Sequence, residues 1–308
     1  MIQILDTTIR EGSQAFGVYL SEEDKKRIAL TIDQIGIDFI EIGHPSISDE
    51  SFRTCCEINN LNLNAETVGH ARANKKDILS VYKSGCKWVG IFCGLNELYL
   101  KYKLNNRRLN DVLDIVCDSI LFAKSLGLKV RYTPEDTSRT ELSILLDAFE
   151  KAKKCGVDRL SIADTVGIYT PEQVAQLVST LKKKISLPMS IHCHNDRGLA
   201  LANALSAYKH GVKVIDASVN GLGERAGITS LQELLVVLAK NYQIQKYNLG
   251  LITHLTREVS LITGFRPDSL RPIVGKNVFK HSAAIHQLAV KKNPICYSSL
   301  EYKEISNF

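Results

Sequence analysis

The chain has 308 residues, 44% of them hydrophobic and 23% charged, and 39 Lys+Arg against 33 Asp+Glu leave a formal net charge of +6. That balance excludes a disordered chain. No apolar run approaches the roughly 20 residues that span a bilayer, and the short basic runs at 107–108, 182–184 and 291–292 lack the aromatic interleaving of a nucleic-acid surface. These runs read as solvated faces or as a dock for anionic groups. Eight cysteines, with Cys55 and Cys56 adjacent and no CxxC, predict free thiols in a reducing, cytoplasmic compartment. The strand-like start predicts no leader segment.

The first predicted strand covers 2–5. A helix opens at Ser21-Glu22-Glu23-Asp24, where Ser21 supplies a capping acceptor and Asp24 sits well in the first turn. Further β-branched or aromatic runs follow at 38–42, 65–68, 88–92, 128–132, 159–162, 189–191 and 214–219, each separated by room for a helix. Gly36, Gly85, Gly127, Gly156 and Gly211 each precede a strand, as helix stops do. The pattern predicts an α/β fold, a closed (β/α)8 TIM barrel over 1–240 with a small helical C-terminal subdomain over 241–308. An open doubly wound sheet competes with it, but no GxGxxG follows the first strand.

In a barrel, active-site groups project from the C-terminal strand ends. Those positions here hold Asp6, Arg10, Glu11, Glu41, His70, Arg131, Thr133, Glu135, Asp164, Thr165, His192, His194 and Asn220. Residues i and i+2 of a strand share a face, so His192 and His194 enter the mouth together. With Glu11 as third ligand they suit Zn, Mn, Mg or Fe; two satisfied polar residues is the bland alternative for an isolated HxH. Arg10 beside Glu11 reads as a cation that stabilises a developing oxyanion, or as a simple salt bridge. Glu135 reads as a general base or a positioner, and Glu41 as a partner of Arg10 or the histidines. Arg131 and His70 suit a distal carboxylate on a substrate, while internal pairing of Arg131 with Glu41 or Glu135 is the alternative.

Asp6-Thr7-Thr8-Ile9-Arg10-Glu11-Gly12-Ser13-Gln14 resembles the opening motif of metal-dependent Claisen-condensing and lyase TIM barrels. His192-Cys193-His194-Asn195-Asp196 and Asn220-Gly221-Leu222-Gly223-Glu224-Arg225-Ala226-Gly227 are similar to further motifs of the homocitrate and 2-isopropylmalate synthase branch. The resemblance implies acetyl-CoA as co-substrate, a divalent metal, and a 2-oxo acid acceptor, with 2-oxoglutarate favoured. It implies Glu11, His192 and His194 as metal ligands with Asn220 beside them, and Arg10 and Glu135 as catalytic residues. Gln14, His70, Arg131, Thr133 and Thr165 would bind substrate. His286 and Tyr297, in the C-terminal segment, would complete a neighbouring subunit's site in a homodimer. Where relatives read His-Glu-Ser-Gly-Ile-His, this chain has His281-Ser282-Ala283-Ala284-Ile285-His286. No leucine-feedback domain is expected. A lyase or aldolase of the same superfamily, and a barrel retained only for binding, are the rival readings.

Overall fold

The apolar runs become strands of one closed parallel barrel, in the order β1 to β8, in a computed structural model that describes residues 1–306. The last two positions of the expected C-terminal subdomain lie outside the described residues. The strands are β1 (Gln3–Asp6), β2 (Phe39–Gly43), β3 (Glu66–Arg72), β4 (Trp88–Gly94), β5 (Lys129–Glu135), β6 (Arg159–Asp164), β7 (Met189–Cys193) and β8 (Val214–Ala217). Pairing of β1 with β8, from Gln3 opposite Val214 to Asp6 opposite Ala217, closes the ring. The TIM barrel expected from the sequence is therefore the fold. Strand ends shift by a few residues. β3 and β5 run further than expected, and β8 stops early because a tight turn at Val219–Gly221, with Asn220 at φ 60°, ends it.

Between the strands lie α1 (Glu22–Ile35), α2 (Asp49–Asn59), α3 (Lys75–Lys83), α4 (Leu109–Ser125), α5 (Leu142–Lys154), α6 (Pro171–Lys184) and α7 (Ala200–Lys209), and α8 (Leu231–Asn241) follows β8. Ser21 and Asp24 form a reciprocal capping box at the start of α1. The five glycines expected as helix stops all have positive φ, from 80° at Gly127 to 106° at Gly211, where a side chain would be strained.

The barrel interior is divided into an apolar floor and a charged layer. Leu5, Phe39, Val68, Trp88 and Val214 pack together as the floor. The Arg159 guanidinium lies 4.2 Å from the Phe39 ring and 4.4 Å from that of Trp88, so a buried cation is held on aromatic faces. Two residues further along the same strands come Glu41 and Asp216, and Arg131 of β5 reaches both across the barrel.

Packing against the barrel continues past residue 240. α9 (Ile252–Thr263) buries Ile252, Leu255 and Val259, and Glu258 accepts hydrogen bonds from Arg27 at 3.1 Å and Thr31 at 2.9 Å on α1. Beyond Gly264 the character changes. α10 (Ala284–Lys292) buries no residue, and Ile285 and Leu288 are 70% and 64% exposed. Leu300 and Ile305 then return to the core. All eight cysteines are free thiols. No helix among the described residues is long and apolar enough to cross a membrane.

Candidate active site

β7 brings His192 and His194 to the mouth of the barrel, and the loop after β1 brings Glu11 to meet them. All three are buried, and one donor atom from each lies within 4.8 Å of the others. Both Nε2 atoms sit 3.9 Å from a Glu11 carboxylate oxygen. That spacing leaves room for one cation at ordinary ligand distances of about 2.1 Å. The second ring nitrogens agree with this use. His192 Nδ1 lies 3.2 Å from Asp216 Oδ2, which favours the tautomer with Nε2 free. Burial, and then His192, push the His194 pKa down to about 3, so its imidazole is neutral as a ligand must be. A divalent cation therefore fits the residues present.

Glu11 is kept ionised. Burial alone would raise its pKa, but Arg10, His192, His194 and the Glu224 N–H together hold it at about 2. The Glu224 amide donates to Glu11 Oε1 at 3.2 Å, because the loop after β8 folds over the carboxylate. That approach explains two glycines. A Cβ on Gly223 would lie 3.1 Å from Glu11 Cγ, and one on Gly227, at φ 80°, would lie 1.9 Å from the Gly221 carbonyl oxygen.

Behind the cluster, Glu41 is the centre of a charged chain. It accepts from Arg10 Nε at 2.7 Å and Arg131 Nη2 at 2.5 Å, with His70 Nδ1 3.1 Å away. Burial opposes its ionisation, yet Arg10, Arg131 and His70 hold its pKa well below the usual range. Arg10 also donates to Glu11, and to Gln14 Oε1 at 3.3 Å. His70 stacks on Phe92 at 4.3 Å, and burial first, then the Arg10 and Arg131 charges, bring its pKa down to about 4 despite Glu41.

A cavity of 430 Å³ opens onto these groups. Its walls bring together Arg10, Glu11, Gln14, His70, Arg131, Thr133, Glu135, Thr165, His192 and His194. Thr165 Oγ1 accepts from the Asp136 N–H at 2.8 Å, which leaves its hydroxyl proton to donate elsewhere. Glu135 pairs with Lys103 Nζ at 2.6 Å.

Two expectations need correction. Asn220 does not reach the cluster: its left-handed backbone turns the amide toward α8 and α9, where it bonds Gln232, Thr256 and Ser260. Arg131 is not a free cation in the mouth. Internal pairing with Glu41 and Asp216 prevails because a buried guanidinium needs a counter-charge. His286 and Tyr297, expected in a neighbouring subunit's site, stack on each other at 4.0 Å within the C-terminal segment, outside this chain's own cavity.

Asp216 and Lys103 went unrecognised in the sequence. Asp216 had a signal, since it alternates with Val214 on the inward face of an apolar strand. Lys103 had none, because it reaches the mouth through an irregular turn.

The chain matches the HMGL-like family over residues 1–259. It is 45% identical over 297 residues to a homocitrate synthase of Pyrococcus abyssi, covering 96% of this chain and 82% of that protein. It is 38% identical to a 2-isopropylmalate synthase of Sulfurisphaera tokodaii, covering 100% of this chain and 80% of that one. Among solved structures, the HMG-CoA lyase of Bacillus subtilis superposes with a TM-score of 0.78 at 20% identity, over 87% of this chain and 96% of that one. This last likeness concerns the fold.

Proposed function

The chain belongs to the HMGL-like family, as an acetyl-CoA-dependent condensing enzyme of its homocitrate and 2-isopropylmalate synthase branch, and from that premise we propose that its acceptor is a dicarboxylic 2-oxo acid, 2-oxoglutarate. The observation that carries the choice is a pair of buried polar atoms without partners, Arg131 Nε and Thr133 Oγ1, on residues that line the cavity. Leaving such groups unmade costs about 1–3 kcal/mol each, and a distal carboxylate would satisfy both once the Arg131 and Thr133 side chains turn toward it. His70 adds a ring at the same wall. An acceptor with a branched apolar tail would leave them bare.

The proposed site is Glu11, His192 and His194 around a divalent cation, which when bound supplies Lewis-acid polarisation of the acceptor's keto group. Thr165 donates its free hydroxyl proton to the carboxylate next to that keto group. Arg10, steadied by Glu41 and Gln14, offers its guanidinium to the keto oxygen as negative charge develops there. Glu135 takes a proton from the thioester's methyl carbon, which then bonds the keto carbon as the carbonyl π pair moves onto the keto oxygen; that oxygen takes a proton from water, and Glu135 gives its proton back to solvent. Water cleaves the thioester, releasing the thiol and a carboxylic acid. Release of thiol with each of 2-oxoglutarate, oxaloacetate, pyruvate, glyoxylate and 2-oxoisovalerate tests this. Turnover should favour 2-oxoglutarate by at least about tenfold in kcat/KM. A preference for 2-oxoisovalerate would reject the acceptor, and cleavage without any thiol release in the synthetic direction would point to a lyase.

We propose further that 241–308, beyond the part packed on the barrel, serves a second copy in a homodimer. Its support is that α10 buries no residue while His286 lies outside its own cavity. Subunits exchanged between inactive His286→Ala and His194→Ala variants should then regain activity. A random mixture places one intact site on half of its dimers, so about one quarter of wild-type turnover is expected. No recovery after demonstrated exchange would place His286 outside the chemistry of the partner.

A further inference from the structure

The loop after β4 contains a five-residue π-helical turn, Tyr99–Lys103. Such turns are rare and concentrate at functional sites. This one aims a lysine inward. The Tyr99 ring lies on Gly94, where a Cβ would come within 2.7 Å of it. Asn96 fixes the turn by accepting from the Tyr99 N–H at 2.9 Å and donating to Asp136 at 2.6 Å. Lys103 Nζ then sits 5.0 Å from the Tyr99 ring centre and 5.7 Å from that of Phe92, with Glu135 Oε1 at 2.6 Å.

Two cavities meet at this point. The 430 Å³ cavity and a second of 420 Å³ share Phe92, Lys103 and Glu135 in their walls. The walls of the second also include apolar Leu104, Val112 and Ile115, with Arg72 and Arg107. Lys103 is 48% exposed and Glu135 18%, and an ion pair that wet adds little to stability. Its placement calls for another reason.

We infer that Lys103 is a positioning residue for the condensation, holding the Glu135 carboxylate in place on the boundary between the acceptor cavity and the second cavity. This rests on the functional reading above. The contact at 2.6 Å fixes where the carboxylate oxygens lie; the methyl proton passes to Glu135 while the methyl carbon bonds the keto carbon, whose π pair moves onto the keto oxygen. Most other titratable groups around Glu135 are engaged elsewhere or uncharged. Cys93 and Tyr99 are neutral thiol and phenol, both pushed up to about 12 by burial first and then by Glu135. Arg72 is paired with Asp77, and Asp136 with Arg139 and Asn96. Arg107 lines the second cavity. Lys103 is the cation in contact with the carboxylate.

The experiment compares thiol release by wild type, Lys103→Met, Lys103→Arg, Glu135→Gln and the Lys103→Met/Glu135→Gln double variant. Lys103→Met should lower kcat at least about 30-fold, with KM for the 2-oxo acid within about threefold of wild type. Lys103→Arg should restore most of the loss. Glu135→Gln should lose about 10²–10⁴-fold, and the double variant no more than Glu135→Gln alone. The assignment is overturned by a Lys103→Met kcat within threefold of wild type. It is equally overturned by a rise in KM at unchanged kcat, or by Lys103→Arg behaving like Lys103→Met. A wild type that releases no thiol with any 2-oxo acid would remove the functional reading and this assignment together.

Discussion

Replacing His194 with alanine is expected to lower kcat at least about 10³-fold and to strip the divalent cation during ordinary purification. Both effects have one origin. His194 and His192 present their Nε2 atoms to the two oxygens of Glu11 at equal distances of 3.9 Å. Losing one leaves two donors, and the remaining Glu11 carboxylate already has Arg10 as a competing partner. Metal content measured by mass spectrometry on the purified variant, beside thiol release with added metal, checks the expectation. Full occupancy at wild-type turnover would dismantle the assigned centre. His194 Nδ1 is buried and without a partner, so it gives little structural return, and the melting temperature should change little. A large activity loss with an intact fold is the informative combination.

Replacing Glu41 with alanine should act mainly on the fold. Its carboxylate is fully buried and faces Arg10, Arg131 and His70 at once. Removing it strands two guanidinium groups in the barrel, and breaking a buried pair in this way costs about 3–5 kcal/mol. For a chain of this size that corresponds to a fall of about 5–8 °C in melting temperature. Calorimetry at pH 7 measures it; a fall under about 2 °C would mean that water already screens the network. Glu41 also sets a pH window. Its folded pKa is depressed from the ordinary 4.5, so its stabilisation is present above about pH 4.5 and is lost as pH falls. The wild type should therefore lose stability on acidification more steeply than Glu41→Ala does.

Much of this was legible because barrel geometry turns strand ends into a site. Alternation on β7 and the loop after β1 placed His192, His194 and Glu11 together without a structure. What failed was local. Asn220 lies beyond the last strand, in a left-handed turn that no strand periodicity describes, and two helices claim its amide. Arg131 was correctly placed in the barrel, but its partners lie on β2 and β8, and sequence spacing does not reveal contacts across an interior. Lys103 depends on a π-helical turn whose register departs from both helix and strand periods.

Joining Gln3 to Val214 has a consequence for the nascent chain. At about 5–20 residues per second, a ribosome needs on the order of 10–40 s to synthesise the missing neighbour. Through that interval the first strand offers an unpaired backbone edge flanked by Ile2, Ile4 and Leu5, all of them sequestered in the finished molecule. Late closure thus makes the N-terminal segment the part most in need of shelter during translation.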